Sequence, residues 1–226
     1  MRDHLICLAL ASSLLSPFVS AQVQMSAGVQ AGVNIANASY TSTFSGVTSS
    51  PRTGLLIGGI VTLQIPERLC FRIEPMYVQN GASMKIEEGN VSYEQEYKLE
   101  YLEFPIHVML QFGDGALRPY IFGGPNLGIL LAANLEEEMP AYLSPEFRQS
   151  GTHDITNDVS SWNFSVDLGG GMSYDIAPDI RLLIDVRYSF GLTDIATPPH
   201  PNDQGFLADS WKSRDVKILA GVLFVL

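Results

Sequence analysis

Arg181-Leu-Leu-Ile-Asp-Val-Arg-Tyr-Ser-Phe-Gly-Leu192 alternates apolar with charged or small residues over most of its length. In an extended strand Leu182, Ile184, Val186, Tyr188, Phe190 and Leu192 share one face, while Arg181, Asp185, Arg187, Ser189 and Gly191 share the other. A soluble sandwich buries the apolar face and wets the polar one. Here the same alternation recurs along the chain and no helical segment is left over to cover the apolar faces. The pattern therefore predicts an all-β, eight-stranded antiparallel up-and-down transmembrane β-barrel, with lipid outside and a polar interior.

The predicted strands cover Val23–Ala36, Gly54–Ile65, Cys70–Asn80, Tyr97–Phe112, Leu117–Leu131, Trp162–Asp175, Arg181–Leu192 and Lys212–Leu226. Each is long enough for a tilted crossing, which takes about 9 to 11 residues. The connections alternate in length. Those at Pro66–Arg68, Gly113–Ala116 and Ala177–Asp179 are short, whereas 37–53, 81–96, 132–161 and 193–211 are long. Short periplasmic turns on one rim and long extracellular loops on the other make the outer-membrane arrangement, with both termini on the periplasmic side.

Composition is compatible with this: 46% hydrophobic and 16% charged residues, with mean hydropathy +0.13. The 226 residues suit one domain. Arg2, the apolar run Leu5–Leu15, Pro17 and the small residues Val19-Ser-Ala21 form an export signal, so residues 1–21 are expected to be cleaved and the barrel domain to span 22–226. That run is too short for a helical span, which needs about 20 residues. After Gln22 the longest apolar stretch, Ile218–Leu226, is also far too short. Every backbone polar group in hydrocarbon must be satisfied internally, so an exported membrane protein without such helices closes its sheet. Cys7 lies in the signal, leaving Cys70 as the lone mature thiol and excluding an internal disulfide; it is expected to act as a small hydrophobe.

Asp114-Gly115 predicts a two-residue type I′ hairpin. Pairing Gly113 with Ala116 sets Gln111 opposite Arg118, His107 opposite Phe122 and Glu103 opposite Asn126, all inward, with Phe104, Ile106, Val108 and Leu110 facing lipid. A one-residue slip would drive Glu103 and His107 into the membrane, at about 2 to 4 kcal/mol for a strong charge at the midplane. By the same parity Arg72, Glu74, Glu103, His107, Arg118, Asp167, Arg181, Asp185 and Arg187 point inward. Eight strands leave an interior only wide enough to be filled by side chains, so these form a salt-bridged plug, with Asp167–Arg187 the expected individual pair. Acids interleaved with arginines are more often structural than catalytic.

Trp162, Phe164, Tyr188, Phe190 and Trp211 cluster at the long-loop ends of their strands, and Phe71, Phe112, Tyr174 and Phe224 near the short-turn ends. Two aromatic girdles at two headgroup layers account for this. Glycines inside the strands, at 58, 59, 123, 124, 128 and 169–171, relieve crowding in a tightly curved sheet; the triple glycine is followed by neither Lys-Ser/Thr nor a helix start, so it is no phosphate loop.

The formal charge of −11 makes nucleic acid an improbable partner. Part of it sits at Glu87-Glu88 and Glu136-Glu-Glu138, expected in solvated loops. His153, Asp154, Asp158, Asp194, His200 and Asp203 fall in the long loops, where a hydrolase site could assemble above the rim, but no spacing among them is diagnostic of catalysis or of a metal.

Four segments, Tyr101-Leu-Glu-Phe-Pro-Ile106, Arg118-Pro-Tyr-Ile-Phe-Gly-Gly-Pro-Asn-Leu-Gly128, Leu168-Gly-Gly-Gly-Met-Ser-Tyr174 and Asp185-Val-Arg-Tyr-Ser-Phe-Gly-Leu192, resemble in order and spacing the PorT-like outer membrane β-barrel family of Bacteroidetes-type bacteria. The resemblance implies an eight-stranded barrel in the outer membrane without cofactor; no catalytic or metal-ligating residues are expected, because the loop residues show no diagnostic spacing. Its partners would be membrane lipid, the outer-membrane assembly machinery and envelope or secretion-system proteins. The C-terminus departs from the family: Leu226 stands where an aromatic is common, with Phe224 two residues back on the same face available for assembly recognition. A barrel of this kind is a scaffold whose work lies in its loops. The resemblance favours a structural or interaction role, one form of which is accessory to protein secretion. A small or gated pore is the alternative, and a loop-borne hydrolase comes third.

Overall fold

The computed structural model describes residues 23–41, 47–65, 68–88, 91–138, 151–195 and 210–226. The expected signal, residues 1–21, and the loop residues His200 and Asp203 lie outside them. The strands are β1 (Gln24–Ala36), β2 (Ala38–Thr41), β3 (Val47–Gln64), β4 (Leu69–Ile73), β5 (Met76–Glu88), β6 (Val91–Gln111), β7 (Leu117–Glu138), β8 (Gly151–Asp154), β9 (Trp162–Ala177), β10 (Ile180–Gly191) and β11 (Ser210–Val225). β1 pairs with β3, β3 with β4 and β5, both of these with β6, and the ladder continues through β7, β9, β10 and β11 back to β1. Every pairing is antiparallel, and the sheet closes on itself.

β4 and β5 make one stave, interrupted where Pro75 lacks an N–H. The Glu74 N–H donates to the Pro105 carbonyl at 3.1 Å and Gly59 N–H to the Pro75 carbonyl at 2.9 Å, so the ladder is bridged across the break. With β2 on the upper end of β11 and β8 on the upper end of β7, the ring has eight staves.

Sidedness follows the alternation and is inverted relative to a soluble protein. Leu55, Ile57, Ile106, Val108, Ile121, Leu168, Ile184 and Val186 are 45 to 63% exposed on the outer wall, while Arg72, Glu74, His107 and Asp167 are fully buried inside. Only hydrocarbon outside makes such a distribution stable.

Towards the long-connection rim the strands run further than expected. Regions 37–53, 81–96 and 132–138, expected as loop, are mostly strand: β3 begins at Val47, β5 and β6 continue to Glu88 and Val91, and β7 reaches Glu138. The sequence criterion required apolar residues facing out, and there the outward residues are charged. In β6 the outward Glu94, Glu96, Lys98 and Glu100 alternate with the buried Gln95, Tyr97, Leu99 and Tyr101. Above the lipid the barrel wall thus reverts to the soluble pattern, polar outside and apolar inside. Glu136, expected in a solvated loop, bonds Lys98 at 2.5 Å, and Glu137 accepts from Gln95 at 2.7 Å.

Within this upper wall Gly81 takes φ 137°, and a Cβ there would lie 1.9 Å from the Tyr97 carbonyl oxygen. The space above it is crossed by Arg52, whose guanidinium reaches Glu96 on the next strand at 2.7 Å. Gly81→Ala is expected to destabilise the folded barrel by about 1–3 kcal/mol through backbone strain alone. A lowered midpoint in urea refolding, followed by gel mobility without boiling, checks it.

The Asp114-Gly115 hairpin is corrected. Gln111 pairs with Tyr120, Met109 with Phe122 and Glu103 with Gly128, a shift of two residues from the expected register, and Phe112–Ala116 form the connection. Gly113 (φ 82°), not Gly115, takes the left-handed conformation, and the Phe112 N–H donates to the Pro119 carbonyl at 2.8 Å. The neighbouring stave contributes: Leu117 pairs with Tyr174, and Asp175 N–H donates to the Ala116 carbonyl. A shift of two preserves parity, so the sorting of inward and outward faces is unchanged.

Candidate functional site

The interior is filled in layers. At mid-height Glu74, one residue before the proline break, is held by two arginines: Arg187 Nη1 lies 2.5 Å from its Oε2 and Arg72 Nε 2.7 Å from its Oε1. Asp185 takes the other edge of both, at 2.9 Å from Arg72 Nη1 and 3.4 Å from Arg187 Nη2. His107 Nε2 meets Asp167 Oδ2 at 3.2 Å, and its Nδ1 faces Glu74 at 3.9 Å. The Arg72 guanidinium lies over the Phe122 ring at 4.2 Å. Gly169 makes room for this stack: a Cβ there would be 2.5 Å from Phe122 Cζ and 2.6 Å from the Val186 carbonyl.

The expected Asp167–Arg187 pair is corrected. A register shift between Ile180 and Arg181 sets Arg187 opposite Gly169 and Ser189 opposite Asp167. Asp167 is 4.0 Å from Arg187, while Glu74 across the lumen is the short partner.

Glu103 joins a second group, in which Lys217 Nζ (2.5 Å) and Asn126 Nδ2 (2.7 Å) both contact its Oε2. Asn80 donates to Asp215 at 2.9 Å. Asp215 and Lys217, both buried, are interior charges that the sequence reading missed. β11 is apolar on both faces, with Val216, Ile218 and Val222 out and Leu219 and Leu223 in, so its alternation alone is ambiguous. The pairing of Lys217 with Asn34 of β1, an inward residue, is the signal that sorts it. Arg118 and Arg181, nearer the short-turn rim, share Asp175, and Arg118 is only half-buried.

Apolar clusters lie above and below the charges. Ile60, Cys70, Met109, Tyr120, Phe122, Leu183 and Leu223 pack towards the short-turn end, and Leu56, Met76, Val78 and Leu219 form a separate cluster. Cys70 is a free, buried thiol. At the long-connection end Ala82, Met84, Tyr97, Leu99, Tyr101, Ala133, Leu135, Val159, Ile195 and Trp211 close the interior.

Trp211 was expected in the upper aromatic girdle; the structure places it inside, 1% exposed, edge-on to Tyr97 at 5.1 Å between centroids. It shares parity with Ser213, Asp215 and Lys217, and β11 at this height already stands within the apolar cap. The other aromatics face out. Phe71, Phe112, Tyr174 and Phe224 stand exposed near the short-turn rim, and Trp162, Phe164 and Phe190 near the other, with Tyr188 half-buried against Phe190 at 4.4 Å.

The sequence matches the outer membrane protein beta-barrel domain over residues 20–197. The chain belongs to that family. Several solved barrels are similar in fold at low identity. A major outer membrane protein of Thermus thermophilus shares 10% identity (TM-score 0.49; 88% of this chain, 99% of that one). AlkL shares 13% (TM-score 0.45; 93% of each) and neisserial surface protein A 14% (TM-score 0.42; 88% and 96%). The curated proteins contain no match.

Of the loop residues of this outer membrane barrel considered for hydrolysis, four are among the described residues. His153 and Asp154 are exposed on β8, Asp158 lies in a short 3-10 turn (Thr156–Asp158), and Asp194 accepts the backbone N–H of Trp211 at 2.8 Å. Asp154 accepts the Thr156 N–H at 2.9 Å; hydrogen bonds from the Thr156 side chain and backbone hold its carboxyl below the usual range, the reverse of a general acid. No group of three His, Cys, Asp or Glu among the described residues is placed to hold a metal ion.

Proposed function

We propose that this protein is a closed, non-conducting outer-membrane barrel with a structural or interaction role, exported by a signal cleaved after Ala21, with its short turns in the periplasm. One observation carries the reading: the interior is occupied along its height, by an apolar cluster, a bonded charge layer and the Trp211 cap. Opening a water-filled path requires parting Glu74 from two arginines and displacing the cap, and each buried ion left alone costs several kcal/mol. The likeness of Tyr101–Ile106 and Arg118–Gly128 to PorT-like barrels supports an accessory role in protein secretion, with envelope proteins as partners of the long-connection rim and the outer-membrane assembly machinery as the partner of the C-terminal strand.

Planar-bilayer recording of the refolded protein tests closure. The expected result is no steady conductance across the physiological voltage range. Steady single-channel steps in the wild type would establish the pore instead. Cross-linking in the native envelope followed by pull-down tests the secretion role, which fails if no secretion component is recovered.

A further inference from the structure

Among the described residues, the outer surface carries a basic pair that the filled barrel does not use. On β11 the outward residues Phe224, Val222, Ala220, Ile218 and Val216 are apolar; the next two in the same phase, towards the long-connection rim, are Arg214 and Lys212. Consecutive same-face residues stand about 6.8 Å apart along a strand. The pair therefore sits where the hydrocarbon belt ends. On the β10 side Arg214 is opposite Phe190, whose ring lies 5.9 Å from the guanidinium carbon. On the other side Lys212 is opposite Ser39 of β2.

Two features separate this pair from the other cations on the upper outer wall. Arg52 and Lys98 are neutralised by Glu96 and Glu136, and Lys85 stands opposite Glu94 on the neighbouring strand. Lys212 and Arg214 have no ion-pair partner among the described residues, and the outward neighbours Phe190, Leu192, Ile35 and Ser39 are uncharged; the nearest carboxylate in the same phase, Asp194 beyond Leu192, accepts the Trp211 N–H at 2.8 Å. Arg214 is also pre-oriented: its Nη1 donates to the Gly191 and Ser213 carbonyls at 2.8 and 2.7 Å, which pins one edge of the guanidinium and leaves the other for a ligand. A desolvating apolar shelf below, an aromatic beside it and two unneutralised cations at headgroup height match an anionic lipid headgroup with its acyl chains on the wall beneath.

We propose that Lys212 and Arg214 clamp the phosphate of an outer-leaflet glycolipid, its acyl chains lying against Val216, Ile218 and Phe190. This inference rests on the outer-membrane placement with the short turns in the periplasm, and not on the closed lumen. The two fail separately, since conductance leaves lipid binding untouched.

Native mass spectrometry of the full refolded barrel, titrated with bis-phosphorylated lipid A, with its enzymatically dephosphorylated form and with inorganic phosphate, tests it. The wild type is expected to retain the phosphorylated lipid at least about tenfold more strongly than the dephosphorylated one. Lys212→Gln/Arg214→Gln should lose most of that preference, Arg214→Lys should keep it within about threefold, and Lys98→Gln, a cation already paired, should leave it unchanged. Equal retention of both lipids by the wild type overturns the proposal without any variant being made. So does a folded double variant that keeps the preference, and so does inorganic phosphate binding as tightly as the lipid.

Discussion

Arg187→Ala is expected to destabilise the barrel strongly. The substitution leaves Glu74 with one of its two close guanidinium partners and removes a contact from Asp185, in a layer where both carboxylates are inaccessible to water. Truncating one member of a buried ion pair typically costs about 3–5 kcal/mol, because the remaining charge stays desolvated. Urea titration of the refolded protein, read as the fraction migrating as a compact band without boiling, should show the midpoint falling accordingly. The double variant Glu74→Gln/Arg187→Met separates pairing from packing. It removes both charges at nearly constant volume, so it should recover a measurable part of the loss. Coupled neighbours of this kind deviate from additivity by about 0.5–3 kcal/mol. An Arg187→Ala protein with unchanged stability would mean that the charged layer contributes nothing to holding the barrel together.

The interior charges were legible because alternation has a period of two and lipid penalises error. Arg72, Glu74, Glu103, His107, Asp167, Asp185 and Arg187 could face only inward once their neighbours faced out, and each is buried in the structure. Which charge meets which was not legible. Partners are set by register, and register stands two residues from expectation at each of two hairpins: the Phe112–Ala116 connection sets the first, and the tight turn pairing Ala177 with Ile180, followed by the one-residue irregularity at Ile180/Arg181, sets the second. Parity survives a shift of two; pairing does not. Sequence also understated the height of the barrel. The search for apolar outward residues stopped at the lipid boundary, whereas β5 and β7 continue through Ala82 and Met84 and through Ala133 and Leu135 with their apolar faces turned inward. The same reversal of sidedness misplaced Trp211. In a membrane strand an aromatic near the long-loop end reads as a headgroup anchor, yet one that keeps phase with buried charges belongs to the interior.

That difference makes the two tryptophans of the chain a direct probe of where lipid ends. Trp162 is 54% exposed on the outer wall, and Trp211 is 1% exposed within the apolar cap. In bilayers whose acyl chains carry bromine, the Trp211→Phe protein, retaining Trp162 alone, should be strongly quenched. The Trp162→Phe protein, retaining Trp211 alone, should fluoresce almost as it does in unbrominated lipid, because a contact quencher cannot reach an indole packed on Tyr97 inside the wall. Stability should divide the same way. Trp211→Ala empties a fully packed site and is expected to cost about 3–5 kcal/mol. Trp162→Ala removes an anchor already in contact with lipid and should cost far less. Equal quenching of the two indoles would put Trp211 on the outside and reverse the phase of β11. Asp215 and Lys217 would then turn into hydrocarbon, at about 2–4 kcal/mol for the lysine if it sits near the midplane, so a folded protein with that quenching pattern would contradict the filled interior as well.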